Sequence, residues 1–504
     1  MVTKPISRVL IANRGEIAVR IIRACSELGL ETLAVYSEPD REALHVRMAT
    51  RAVCIGPATP SESYLNGEKL IAVGLDNHCD AVHPGYGFLS ENAGFAQAVS
   101  DSGMIWVGPS PEAIVAMGSK TGARTIMEAA GVPVVPGTLG PSEDFAALAE
   151  KAEEIGYPIM LKAAAGGGGK GMRLVASPAE LQNAWMSARS EAIKSFGDET
   201  VYLEKAIIGP RHVEVQVLAD THGNVVHLFE RDCSVQRRHQ KVIEETPCPV
   251  LQDKTRAEMC AVAIQAAQAV DYVGAGTVEF LLGDDGNFYF LEMNTRLQVE
   301  HPITEMITGI DLAKAQLKVA MGEALPFRQE DILANGHAME FRIYAEDPSA
   351  GFLPAPGKIT SYREPSGPWI RVDSGVYAGF EVPIHYDPMI AKLVVWGRDR
   401  KECIERSDRA LREYRIAGIK TPIAFFRHVL GHPDFASGHY DTGFVTPELL
   451  AAVDGVQSEE IASIVAAIAQ FRADHAPVEK AAGVAKESNW KRDARQRSMR
   501  GFLK

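Results

Sequence analysis

The chain has 504 residues and a mass of 54.6 kDa, enough for about three domains at roughly 100–200 residues each. Hydrophobic residues make up 46% and charged residues 23%, which excludes a disordered or collagen-like chain. A formal net charge of −13 argues against general binding to nucleic acid or to an acidic membrane, and leaves room for a local basic pocket.

Seven cysteines are scattered without a C-x-x-C pair, so neither a disulfide framework nor a zinc site is expected, and a cytoplasmic, reducing location fits. The amino terminus lacks a long apolar core, and no stretch reaches about 18 uninterrupted apolar residues; no export signal and no membrane anchor are expected.

The first elements follow from periodicity. Residues 8–12 (RVLIA) form a short apolar run, Asn13-Arg14-Gly15-Glu16 breaks it, and Ile17, Ile21, Cys25 and Leu28 then recur at helical spacing. A second strand, ETLAVYS, comes next. The alternation continues to about residue 115 and predicts an α/β, Rossmann-like unit with a parallel sheet. Its first turn lacks G-x-G-x-x-G, which disfavours dinucleotide binding.

A second region, about 116–335, carries most of the motifs. Pro158 to Lys162 reads as a strand, followed by Ala163-Ala164-Ala165-Gly166-Gly167-Gly168-Gly169-Lys170-Gly171 and a second strand from Arg173. A flexible linker rarely lies between two apolar strands with lysines in and beside it. The pattern predicts a flap whose bare backbone N–H groups fold over phosphates. It is not a P-loop, because G-x-x-x-x-G-K-[ST] is absent.

Residues 277–294 (TVEFLLGDDGNFYFLEMN) read as two strands joined by a two-residue turn at Asp285-Gly286. Pairing about that turn sets Glu279 opposite Glu292 and Thr277 opposite Asn294, with Glu279, Glu292 and Asn294 on one face and Phe280, Leu282, Leu291 and Met293 on the other. Opposed carboxylates are destabilising unless a cation sits between them. An oxygen-rich set of this kind suits Mg²⁺ or Mn²⁺ held together with substrate phosphates. The next segment, Thr295 to Pro302, places Arg296, Gln298 and Glu300 at alternating positions. Drawn out as a strand, it points an anion-binding arginine and a carboxylate base one way. Arg231 to Lys241 (RDCSVQRRHQK) is densely cationic and reads as a polyanion site, although no aromatic residue is interleaved to favour RNA.

The third region, about 336–450, holds the β-rich stretches AMEFRIYAED, KITSYRE and MIAKLVVWG. A tail, 451–504, has an apolar helical stripe (Ile461, Ile464, Val465, Ile468, Phe471) and a basic end. The tail either docks a partner subunit or merely extends the body.

A glycine flap, a two-carboxylate hairpin and a cationic strand in this order resemble the ATP-grasp ligases. The stretches IANRGEIA (11–18), HPGYGFLSE (83–91), the Arg231 to Lys241 run and EMNTRLQVEHP (292–302) resemble the signatures of the biotin carboxylases, over about residues 5–447. The resemblance implies an N-terminal Rossmann-like (pre-ATP-grasp) domain at 1–115, an ATP-grasp domain at 116–335 with its flap subdomain at about 135–204, and a β-rich C-terminal domain at 336–450, followed by the helical tail. It implies that Lys120, Lys162, Gly168, Gly169, Glu204, Lys205, His212, Gln236 and His239 surround ATP, and that Glu279, Glu292 and Asn294 hold magnesium or manganese, two ions in all. Bicarbonate would lie against Lys241, Arg296, Gln298 and the backbone of Val299, with Glu300 as base. Arg342 would stabilise the enolate of biotin beside Tyr86, and Asp387 resembles a position tied to dimer contacts and biotin.

The implied reaction is ATP-dependent carboxylation of biotin by bicarbonate through carboxyphosphate, the first step of an acetyl-CoA, other acyl-CoA or pyruvate carboxylase. The chain contains no Met-Lys dipeptide, so biotin is expected on a separate carrier protein, with a further carboxyltransferase subunit and a homodimer as the other partners. An ATP-grasp ligase joining a carboxylate to an amine without biotin is the alternative.

Overall fold

The structure, a computed structural model, describes residues 5–138, 140, 144–163, 172–452, 466–468 and 470–471. The glycine-rich loop, with Gly168 and Gly169, and most of the tail stripe lie outside the described residues. Ile468 and Phe471, which are described, lie in helical segments and are exposed.

The chain opens with a five-stranded, wholly parallel sheet in the order Arg51–Gly56, Glu31–Ser37, Arg8–Ile11, Ala81–His83, Ile105–Trp106. This is the α/β unit expected from the apolar runs. The first helix, Gly15–Glu27, buries Ile17, Ile21 and Cys25, the residues whose spacing predicted it.

A three-stranded antiparallel sheet carries the flap hairpin. Ile159–Ala163 pairs with Met172–Val175 on one side and with Val201–Lys205 on the other. Its core is formed by Leu148, Ile159, Leu161, Val175 and Leu203.

The largest element is an eight-stranded antiparallel sheet in the order Phe288–Asn294, Gly274–Leu282, Arg211–Ala219, Val225–Arg237, Gln240–Thr246, His337–Tyr344, Met389–Gly397, Ile370–Ser374. Strand Arg211–Ala219 is buried along its whole length. Val213, Val215, Val217 and Ala219 enter the core beneath the sheet, so His212, Glu214 and Gln216 occupy the opposite face. That second face is also closed to solvent, and it carries the site.

The hairpin departs from expectation at its tip. Leu282 faces Phe288, and Gly283 donates to the carbonyl of Asn287 at 2.8 Å, which leaves a three-residue loop, Asp284-Asp285-Gly286. Gly286 takes φ +79, which its lack of a Cβ permits. A bulge between Glu279 and Phe280 then shifts the register by one, so that Glu279 faces Glu292 and Thr277 faces Asn294 after all. The extra residue is Leu291, which leaves the core face; Phe290 packs there instead, with Phe280, Leu282 and Met293.

Candidate active site

Register alone assembles a row of charge across four strands. Arg231 faces Glu214, Glu214 faces Glu279, and Glu279 faces Glu292. A second row sets Gln216 beside Thr277 and Thr277 beside Asn294. Three opposed carboxylates on one face call for cations, and the protein supplies them. The fully buried Arg231 donates to Glu214 at 2.6 Å, to Gln216 at 2.7 Å and to Thr304 at 3.0 Å. His212 Nε2 lies 2.8 Å from Glu279, and its Nδ1 meets Gln236 at 3.0 Å.

Lys241 ties the row to the next element. Its ammonium donates to Glu214 at 2.5 Å, to Glu279 at 2.8 Å and to Glu300 at 2.7 Å. Burial lowers the affinity of such a group for its proton, but three carboxylates outweigh it and hold Lys241 well above the usual lysine range. Glu300 stands at the start of helix His301–Thr308, whose first turn contains Pro302. Burial there pushes its carboxyl up. Lys241, Arg342 and Arg231 reverse this, and the net result is well below the usual carboxylate range. His212 follows the same logic: burial lowers it, Glu279 more than compensates, and the imidazole is raised.

Arg342 closes the far end. Its Nη2 donates to Glu300 at 2.9 Å and its Nε to Glu244 at 2.6 Å. Lys392, also fully buried, donates to the carbonyl of Val299 at 2.7 Å and lies 3.4 Å from Glu16, which accepts from the Tyr86 hydroxyl. The ammonium sits 5.8 Å from the Tyr86 ring centroid. Tyr86, Val299, Glu300, Arg342 and Lys241 therefore form one connected site.

The segment 295–300 bends and turns into the helix; it is not a strand. Arg296 and Gln298 still meet at 3.1 Å, and Gln298 donates to Glu279 at 3.2 Å. Arg296 is anchored by Glu91 at 2.9 Å and by the Asn294 side-chain oxygen at 3.0 Å. Glu300 points instead to Lys241 and Arg342. The cationic run 231–241 is likewise not one outward patch. Strand Val225–Arg237 turns at Arg238-His239, both with positive φ, so Arg231 faces inward, Arg237 pairs with Glu346 at 3.5 Å, and only Arg238, His239 and Gln240 are exposed.

A divalent cation fits the hairpin. Glu279 and Glu292 are directly opposed, and Asn294 lies one row away and donates to Glu279 at 2.9 Å. Oxygen donors of this kind match a hard cation. Glu292 is part-exposed, so the set is open on the side where phosphates would complete it.

Three domain families match the sequence in order. They are Biotin carboxylase, N-terminal domain, at residues 5–114; Carbamoyl-phosphate synthase L chain, ATP binding domain, at 119–328; and Biotin carboxylase C-terminal domain, at 340–447. The chain belongs to the biotin carboxylase family. The biotin carboxylase of Nostoc sp. is 52% identical over 438 residues, 87% of this chain and 98% of that protein. The mitochondrial methylcrotonoyl-CoA carboxylase subunit alpha of Dictyostelium discoideum is 53% identical over 88% of this chain, which spans 63% of that longer protein. The crystal structure of the Campylobacter jejuni biotin carboxylase, a beta-gamma-ATP complex, superposes with a TM-score of 0.84 at 51% identity, covering 87% of this chain and 98% of that one.

The other residues to which the biotin carboxylase resemblance points are spread more widely. Lys162 donates to Glu204, which also accepts from Arg124 at 2.7 Å, at the edge of the flap sheet. Lys120 begins helix Lys120–Ala129, behind the cap Ser119. Lys205 spends its ammonium on the carbonyls of Gly156 and Tyr157, at 2.9 and 3.1 Å, fastening the end of helix Phe145–Ile155. Asp387 is exposed and accepts from the backbone of Met389 at 2.9 Å, apart from the hydrogen-bonded centre. Sequence reasoning missed Glu214, Glu244, Glu16, Lys392 and the anchoring role of Glu91. The alternation in HVEVQVLA was a usable signal for Glu214, since it places acid and amide on one strand face.

Proposed function

We propose that this chain catalyses the ATP-dependent carboxylation of biotin by bicarbonate, passing through carboxyphosphate, as the ligase component of a larger carboxylase. The observation that carries the reading is the shared carboxylate Glu300, held at once by Lys241 on the acidic row and by Arg342 on the Tyr86 side. One base thus joins a phosphate-and-metal half to a biotin half.

In this reading Lys241, Arg296, Gln298 and the Val299 backbone bind bicarbonate, and Glu300 takes its proton. Lys120, Lys162, Gly168, Gly169, Glu204, Lys205, His212, Gln236 and His239 surround ATP. Glu279, Glu292 and Asn294 hold Mg²⁺ or Mn²⁺, which neutralises phosphate charge when bound. Arg342 faces the ureido enolate of biotin, with Tyr86 beside the ring and Asp387 at the rim. Every intermediate is anionic, so cationic positioning supplies most of the catalysis.

The domains divide as 1–115, 116–335 and 336–450, with 451–504 as an added tail. Biotin arrives on a carrier protein, a carboxyltransferase subunit selects the acceptor, and two copies of this chain pair as a homodimer in the cytoplasm. Among the described residues, no helix is long and apolar enough to cross a membrane. ADP release from Mg-ATP, with bicarbonate and biotin omitted in turn, tests the reading. Release that requires both supports it, and release indifferent to biotin, whether free or carrier-bound, refutes it in favour of a carboxylate-amine ligase.

A further inference from the structure

Behind Arg342 stand two acids that the proposed reaction does not use. Glu244 and Glu340 are a direct antiparallel pair, and both are fully buried. Residues opposed in this way have Cβ atoms about 4.5–5.5 Å apart, where two like charges destabilise the sheet. One Glu244 oxygen accepts from Arg342. Its other oxygen and both oxygens of Glu340 have no hydrogen-bond partner among the described residues. Three bare carboxylate oxygens in one buried place are costly unless a proton lies among them.

The surrounding charges cannot balance both acids, since Lys241, on the strand of Glu244, is already shared by Glu214, Glu279 and Glu300. Arg342 lies on the strand of Glu340 and is shared between Glu244 and Glu300. Lys392, on Met389–Gly397, is engaged by Val299 and Glu16. Glu300 adds a third anion from the helix start, and His301 in the same helix is held neutral, its affinity for a proton lowered by burial and by Lys392.

We infer that Glu244 and Glu340 hold one proton between them and act as a positioning pair for Arg342. The inference rests on the assignment of Arg342 to biotin made above. With the proton in place, the pair carries a single negative charge, and Glu300 opposes it from the other side. The guanidinium is then shared between two comparable anions and stays free to face the enolate. When the proton leaves to solvent, the second charge draws Arg342 onto Glu244. Burial pushes the Glu244 carboxyl up to about 7 and Glu340 well above its ordinary range, in keeping with a proton retained near neutral pH.

Infrared spectra of the full chain at neutral pH, wild type against E340Q and E244Q, test the pair directly. Difference spectra, wild type minus each variant, are expected to show a carbonyl band of a protonated carboxylic acid lost in E340Q and in E244Q alike, the contribution of the Glu16 carboxyl, which burial raises to about 7, cancelling because all three proteins carry it. Absence of that band from either difference spectrum overturns the inference. A second measurement is the pH profile of biotin-dependent ADP release. Its alkaline limb is expected to move upward by at least about one pH unit in E340Q, where an amide donates to Glu244 at every pH. An unmoved limb overturns the positioning role. Full activity in an Arg342→Ala variant would instead remove the biotin assignment while leaving the infrared result standing.

Discussion

Lys241→Met is the most informative single change, because the structure fixes both its cost and its pH dependence. The ammonium serves three buried carboxylates, and each keeps a second partner: Arg231 for Glu214, His212 for Glu279, and Arg342 for Glu300. Breaking a buried pair by removing one partner costs roughly 3–5 kcal/mol, and the remaining cations place this case at the lower end, about 3 kcal/mol. The pH dependence has a definite sign. Glu279 and Glu300 are held below the ordinary carboxylate range, so their contribution is present above a pH of about 4.3 and is lost as pH falls through their folded values. The difference between wild type and variant should therefore be widest near pH 8 and shrink toward about pH 5, where the orphaned carboxylates of the variant take up protons. Urea unfolding across that range measures the stability, and bicarbonate-dependent ADP release measures catalysis, which should fall by on the order of 10²–10³. A loss smaller than about 1 kcal/mol at pH 8 with ADP release intact would refute the reasoning, and an equal loss at both pH values would reduce Lys241 to packing.

Three further outcomes follow from the same geometry. Arg342→Ala should fold, since Glu244 and Glu300 can take up protons or keep Lys241, and should lose biotin carboxylation by about 10²–10³ in single-turnover assays. The Glu16 carboxyl is raised by burial to about 7 despite Lys392, so wild-type stability should decline between about pH 4.5 and 7 by roughly 3 kcal/mol; Glu16→Gln should flatten that decline in thermal scans taken at several pH values. Gly375 sits where the chain approaches the first turn of helix Gly15–Glu27, and a Cβ there would fall 2.6 Å from the Glu16 nitrogen and 2.8 Å from the Gly15 carbonyl carbon. Gly375→Ala should cost about 1–3 kcal/mol in urea unfolding and should raise the biotin KM by displacing Glu16 and Tyr86.

The parallel sheet was legible because its signals are local: an apolar run, a breaker, and a helical stripe within thirty residues. The glutamate hairpin was legible for a less direct reason. The turn chemistry misplaced the tip by one residue, and the bulge at Leu291 restored the register before Glu279. The expectation held at Glu279 and failed at Leu291, because a strong Asp-Gly signal locates a turn without fixing its loop length, and nothing in the local sequence marks a bulge.

Glu214, Glu244 and Glu340 were hidden by a different cause. Polar residues alternating along a strand ordinarily mean a solvated face, and only tertiary packing, here helix His301–Thr308 laid over the sheet, encloses that face. The same enclosure explains why the basic run is not one ligand-facing patch: Arg231, at its start, neutralises Glu214 on the strand next to the glutamate hairpin. Pairing partners far apart in sequence, 214 with 279 and 244 with 340, convert residues that look like surface into a buried lattice of opposed acids and the few cations shared among them. In such a lattice the placement of one proton or one cation redistributes the rest, which is the property an enzyme needs when bicarbonate, phosphate and an enolate must be held as anions in a single pocket.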